Sequence, residues 1–448
     1  MIKDPEQNRA YSSWGENAGR YSRALVLGIA VFLFLYILLK IIIISLSWLY
    51  SFEEVVAIKH EKTPLFHEIM AAYDISLSVE RYHLARWLSP VLFLSFISLT
   101  ALSYKLQAKW FHSLTSVCRF VLLQVYLTRQ SYRELSGLQK IFLLIVLLSA
   151  LARQIFLVFY LPPHVDELET YYVFVKEGFI WTNIFYPFPN NHVFFNYFFW
   201  LSHQLIDDPL LAVRIPSVIF YQILLLLVFF GVRRYLKNTE AAFGSILLCL
   251  SLFPSSIYGA QGRGYILFSI LLLVTVYALF IALENKKWQK QALTIFAVSS
   301  ALGAYTIPVF LLPFISMLLL AGPKMFFKPD KVLFGRLLVS IVMVGIMVGF
   351  LYLPIFLFSG IEPVIANKYI QPSQTSNFFD YVTPIASAEI LSYLAAVPSK
   401  GWLIWLMLGG FSIGVLAKSD GRTRNWLILS ALMILTIMLH GLLMRSFM

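Results

Sequence analysis

Four short stretches of this chain carry side chains whose types and spacing could do chemistry. In the first, LPPHVDELETYYVF, the carboxylates Asp166, Glu167 and Glu169 follow Pro162 and Pro163 at the end of an apolar run. The prolines stop a helix, so the acidic groups emerge where it ends. Carboxylates in such a place can bind a cation, take a proton from a hydroxyl, or stand solvated at a loop end. The second stretch, PNNHVFF, offers Asn190, Asn191 and His192. These can hold a polar ligand, join a carboxylate such as Glu167 around a divalent ion, or hydrogen-bond within their own loop. The third, QGRGY, sets Arg263 between Gly262 and Gly264 and ahead of Tyr265. Glycine lets backbone approach a ligand closely, and a guanidinium fork matches two phosphate oxygens; the alternative is an Arg reaching for lipid headgroups. The fourth is Arg153 alone, eight residues before Leu161 inside an apolar run, or ~12 Å deep at helical rise. A charge at that depth is costly and marks a functional position, pairing with an anionic ligand or with a carboxylate on a neighbouring helix.

The elements that must position these groups are transmembrane helices. Hydrophobic residues make up 59% of the 448-residue chain and charged ones only 13%, with a mean hydropathy of +0.76, more apolar surface than a soluble fold can bury. The expected fold is all-α and polytopic, with about eleven spans plus juxtamembrane helices. The spans are Ala24–Tyr50, Leu88–Tyr104, Ile141–Leu161, Leu210–Val232, Ala241–Tyr258, Tyr265–Leu283, Ala292–Thr306, Pro308–Ala321, Leu337–Phe358, Trp402–Ala417 and Trp426–Leu443. The first is too long for a signal-peptide core and is read as a permanent span. Val193–Ile206 is apolar and aromatic but too short to cross, and is expected to lie at the interface or half-inserted. Leu114–Arg129 is amphipathic and suits a surface helix. Two cysteines, Cys118 and Cys249, have no metal-type spacing.

The net charge of +12 excludes little by itself, but its distribution is informative. With a cytoplasmic N-terminus, the inside connections hold Lys105, Lys109, Arg119, Arg129, Arg133 and Lys140; Arg233, Arg234 and Lys237; Lys286, Lys287 and Lys290; Lys324, Lys328, Lys331 and Arg336; and Lys418, Arg422 and Arg424. Each is basic, as the positive-inside rule requires, and this pattern rather than a nucleic-acid face accounts for the charge. The outside connections 162–192, 259–264 and 359–401 then carry the candidate groups, leaving spans almost free of charge apart from Arg153.

The motifs DELETYY, PNNHVFFNYFFWL, LLAVRIPSVIF, YGAQGRGYILF and AYTIPVF occur in that order. Together the set resembles the membrane glycosyltransferases of the GT-C fold, which include protein O-mannosyltransferases and lipid A aminoarabinose transferases. It is closest to the bacterial branch with a dolichyl-phosphate-mannose-transferase-like domain. The resemblance runs from Ile141 to Ala321. It divides the chain into an N-terminal extension (1–140), a GT-C-like core (141–325) and a C-terminal membrane region (326–448). It implies a bacterial inner-membrane enzyme with an extracytoplasmic active site and a polyprenyl-phosphate-linked hexose or pentose as donor. Asp166 matches the family's first acidic residue and would be the general base on the acceptor hydroxyl, with inversion in one displacement. Glu167 would orient Asp166 or a divalent metal ion, the one cofactor the resemblance admits, with His192 beside it; Asn191, His192, Arg263, Tyr265 and Arg153 would bind substrate. Arg263 would grip the lipid phosphate, and Arg214, in AVRIPS, would be structural. Val193 and Phe194 stand where the family has prolines after its His, and Ile307 where it has His after Tyr-Thr.

Tyr171, Tyr172, Trp181 and Tyr186 suit stacking on sugar faces and interfacial anchoring equally well. The competing class is a polytopic transporter or a lipid or polysaccharide flippase, which would place ionisable groups midway through several spans and show inverted repeats. A non-catalytic assembly subunit, the third class, would tolerate loss of Asp166.

Overall fold

A computed structural model describes residues 5–62, 78–187, 189–327, 330–365 and, near the C-terminus, 424, 428–430 and 432–433. The described chain is helical, with no strand among those residues. In order the helices are α1 (Pro5–Ser45), α2 (Phe52–Lys62), α3 (Val79–Lys105), α4 (Gln107–Arg133), α5 (Gly137–Tyr160), α6 (Val165–Glu169), α7 (Phe179–Ile184), α8 (Val193–His203), α9 (Pro209–Leu236), α10 (Thr239–Ser251), α11 (Phe253–Ala260), α12 (Tyr265–Glu284), α13 (Gln289–Thr306), α14 (Leu311–Phe327) and α15 (Lys331–Phe358). Their ends follow from local chemistry. Ser136 and Gln139 close a capping box at the start of α5; Asp208 and Asp330 accept the first free amides of α9 and α15.

Six described helices are long and apolar enough to cross a membrane, or seven if the bent pair α10–α11 forms one span. The sequence patterning suggests about eleven. Part of the difference is α13, a helix of 18 residues that meets neighbours on most sides. Its Ala, Ser and Gly faces, with Ala292, Ala297, Ser299, Ser300, Ala301, Gly303 and Ala304 buried, pack between α12 and α15. Pro308–Gly322 is a shorter apolar helix. The expected spans Trp402–Ala417 and Trp426–Leu443 fall, but for a few residues, outside the described residues, as does the connection 359–401 beyond Ile365. Helix α8 has 11 residues, ~16 Å, too short to cross. Val193, Phe195, Asn196 and Phe199 on it are buried.

The connections gather at two poles. At one, Arg233 and Arg234 of α9 reach Ser131, Glu134, Gln124 and Thr128 of α4 and its end. Lys286 pairs with Asp330 at 3.5 Å, and Arg336 donates to Gln289 at 2.8 Å. The amphipathic segment Leu114–Arg129 is part of α4 here and packs on α1, α9 and α13. The opposite pole holds the carboxylates and Arg263.

Candidate functional site

The acidic motif forms α6, one short turn after the Pro162-Pro163 stop, and widens at Thr170–Val175 into a π-type turn, a distortion that is frequent at functional sites. Trp181 and Thr182 of α7 donate to the carbonyls of Val173 and Phe174, at 2.9 Å each, folding α7 back against that turn. The three carboxylates, side by side in sequence, end in three different environments.

Glu167 is buried and fully committed. Its Oε1 accepts from Arg214 Nε at 2.9 Å and from the Gly262 amide at 2.7 Å. Its Oε2 accepts from Arg214 Nη2 at 2.7 Å and from the His164 amide at 3.0 Å. Arg214, also fully buried, spends its remaining N–H groups on the carbonyls of Val158, Leu161 and Pro162 at the end of α5. A helix C-terminus leaves those carbonyls without partners, and a cation there is favoured twice over. The Arg214–Glu167 pair thus bolts α9, α6 and the 262 turn to the end of α5.

Asp166, its neighbour, faces outward. Its Oδ2 lies 2.6 Å from Nη1 of Arg263, with side chains 37% and 7% exposed, so the carboxylate is open to a ligand while the guanidinium behind it is not. His164 Nδ1 stands 3.5 Å from the same oxygen. Arg263 also donates to Oδ1 of Asn190 and, at 3.3 Å, to the Tyr265 hydroxyl, while its Nε is buried with no acceptor among the described residues. Asn190 in turn donates at 2.7 Å to Glu169. Burial pushes the Glu169 carboxyl above its usual range, the Asn190 bond opposing.

The turn that presents Arg263 needs both its glycines. A Cβ on Gly262 would lie 2.3 Å from Val213, and one on Gly264 would lie 2.9 Å from Nδ1 of His192. That same Nδ1 accepts the Gly264 amide at 2.9 Å, which puts the ring proton of neutral His192 on Nε2. Burial, with the nearby Arg263 charge, holds its pKa well below the ordinary value. The His192 and Tyr265 rings meet edge to face, 5.3 Å between centroids.

The geometry therefore brings Asp166, Arg263, Tyr265 and His192 to one place and sets the other candidates apart. Asn191 is buried; its amide donates to the carbonyls of Thr182 and Phe185 and accepts from Asn196, so it fastens the loop, and Asn190, one residue earlier, is the Asn at the site. Among the described residues Arg153 meets no carboxylate; its Nη1 donates to the Leu250 carbonyl at 2.6 Å, at the α10–α11 break. The donor set does not suit a divalent ion. Both Glu167 oxygens and His192 Nδ1 are occupied, and among the described residues no three His, Cys, Asp or Glu side chains cluster as a cation site.

One residue outside the sequence-derived set stands out. Lys40 lies inside the first span and is 1% exposed. Its ammonium donates to Asn183 Oδ1 at 2.5 Å, Tyr305 OH at 2.7 Å and the Leu351 carbonyl at 3.2 Å. Tyr36 and Tyr197 extend the network. The expectation of spans almost free of charge apart from Arg153 is corrected here: a lone Lys in LLKIIII is itself a signal.

Comparison with known proteins adds a family match. Residues 190–355 match the family model described as dolichyl-phosphate-mannose-protein mannosyltransferase. No curated protein and no solved structure matches the chain. The matched stretch contains His192, Arg214, Arg263 and Tyr265 and begins after the acidic motif; it supports a GT-C-like membrane glycosyltransferase family.

Proposed function

We propose that this multi-pass membrane protein transfers a sugar from a polyprenyl-phosphate donor to an acceptor hydroxyl, at the pole that carries Asp166. The observation that supports this most is the Asp166–Arg263 pair, an open carboxylate 2.6 Å from a buried guanidinium with a donor to spare. In the reaction the acceptor oxygen attacks the anomeric carbon as its proton passes to Asp166. The bond from that carbon to the phosphate oxygen breaks on the opposite face, inverting the centre, and the lipid phosphate leaves with the electron pair. A positioned base contributes about 10²–10⁴-fold. Arg263, its charge directly behind Asp166, stabilises the growing phosphate charge through space, and Tyr265 stands beside it. Glu169 and Asn190 hold Arg263 in place. The basic pole faces the cytoplasm and the acidic pole the far side of a bacterial inner membrane, where donor sugars arrive on lipids.

Asp166→Asn in proteoliposomes, assayed with polyprenyl-phosphate mannose, glucose and aminoarabinose, tests the assignment. Stable protein with transfer reduced about 10²–10⁴-fold, and wild-type product of inverted configuration, is expected. Undiminished transfer would remove Asp166 as the base. A transporter or flippase is the second reading, and Lys40 within a span favours it. Translocation of a labelled sugar-lipid without any glycosidic product would decide for it.

A further inference from the structure

We propose that the break between α10 and α11, faced by Arg153, is a site within the membrane for the phosphate of a membrane lipid, separate from the Asp166 centre and independent of sugar transfer. The break has a local cause. Pro254 lacks the N–H that would reach back to the Leu250 carbonyl, the chain is extended at Leu252 (φ −71°, ψ 120°), and the two helices bend by 70°. Backbone freed in this way at membrane depth must find other partners. The Leu250 carbonyl takes Arg153 Nη1 at 2.6 Å and Ser256 Oγ at 3.2 Å, and the Cys249 carbonyl takes the Tyr221 hydroxyl at 3.4 Å.

Two groups at the break remain unanswered. Arg153 is exposed on a helix apolar enough to span, and beyond the Leu250 carbonyl its guanidinium has no acceptor among the described residues. A charge facing hydrocarbon draws in water and headgroups unless an anion meets it. Gln154, next in sequence, is fully buried with neither amide atom partnered. It lies against α11, where a Cβ on Gly259 would stand 3.0 Å from its Nε2 and 2.8 Å from the Tyr221 ring, so glycine at 259 leaves room for that amide. Buried polar groups are seldom left unpaired unless a water or ligand completes them. A guanidinium open to lipid, with the N–H groups of an unpaired buried amide beside it, suits a phosphate ester anchored by an apolar tail. From the break, α11 leads in eight residues, ~12 Å, to the turn that carries Arg263.

The test is photolabelling of the whole protein in lipid nanodiscs with a diazirine-tagged isoprenyl monophosphate, the matching isoprenol, and a diazirine-tagged phosphatidate. The phosphate probe should label residues 249–256 at least about tenfold above the alcohol. Arg153→Gln should abolish that excess, Arg153→Lys should keep most of it, and Arg263→Gln should leave it intact. Equal labelling by phosphatidate assigns the site to ordinary phospholipids; a strong preference for the isoprenyl phosphate assigns it to the prenyl carrier. Gln154→Leu removes an unpaired buried amide, keeps the fold, and should lower labelling severalfold, so it carries the test if Arg153→Gln does not fold. Labelling by the alcohol as strong as by the phosphate, or unchanged in Gln154→Leu and Arg153→Gln, overturns the proposal.

Discussion

Replacing Glu167 by Gln should unfold the acidic pole rather than alter chemistry, and the size of the effect follows from what the carboxylate holds. It accepts from four N–H groups, two of them on Arg214, and both side chains of the pair are fully buried. A glutamine keeps one acceptor oxygen but turns its amide N–H groups toward donors, and it leaves the Arg214 charge in a dry site without a counterion. Stranding one partner of a buried pair costs about 3–5 kcal/mol. Arg214→Met strands the other partner and additionally frees three carbonyls at the end of α5. The double variant removes both charges, so its loss should be smaller than the sum of the two singles by about 2–4 kcal/mol, since the pair as a whole costs little to replace with apolar groups. Unfolding of purified protein in mixed micelles by SDS titration, read by Trp fluorescence, gives the four free energies. Additive losses, or a Glu167→Gln protein as stable as the wild type but inactive in transfer, would refute the structural assignment of Glu167.

Three further outcomes are expected. His192 has a depressed pKa when folded, so the unfolded chain takes up the proton first; stability is full above about pH 6.5, the ordinary histidine value, and falls as the pH drops below it. Thermal unfolding between pH 7.5 and 5 should show that fall, and His192→Gln should flatten it. Asn191→Ala should lose about 1–3 kcal/mol by stranding buried carbonyls, while Asn190→Ala should keep stability and lower transfer by loosening Arg263; the reverse pattern would put the wrong asparagine at the site. Lys40→Met leaves Asn183, Tyr305 and the Leu351 carbonyl short of a donor and should cost about 1–3 kcal/mol in the same titration; no loss would mean the cation does not hold those helices.

The helices were legible because apolar runs, capping residues and prolines are local signals. The short α8 was legible as non-crossing from its length and its Asn196, Ser202 and His203. What patterning did not carry was the packing of α13: its small side chains let α12 and α15 approach, a property of tertiary contact that composition does not encode. At the site, the Gly-Arg-Gly turn was readable as a place of close approach, but what its glycines make room for is Val213 and His192 rather than a ligand. The division of labour among Asp166, Glu167 and Glu169 was not. Three carboxylates in four residues look alike until the helix assigns each a direction, and only then does Arg214, 47 residues after Glu167, find one of them. The same holds for Asn190 and Asn191, where neighbouring side chains point to opposite tasks.

The Lys40 network also bears on how the protein is made. The acceptors of this ammonium lie 143, 265 and 311 residues further along the chain, so when the first helix leaves the translocon none of them has been synthesised. A lysine at the centre of a span costs about 2.5–3.5 kcal/mol on the insertion scale; Lys40 stands about a turn past the centre of Ala24–Trp48, so its cost is smaller and is offset for the moment by the apolar run around it. Helix α1 packs on α3 and α4 and can do so once they follow it into the bilayer, but the Lys40 ammonium gains its last acceptor only when Leu351 has entered.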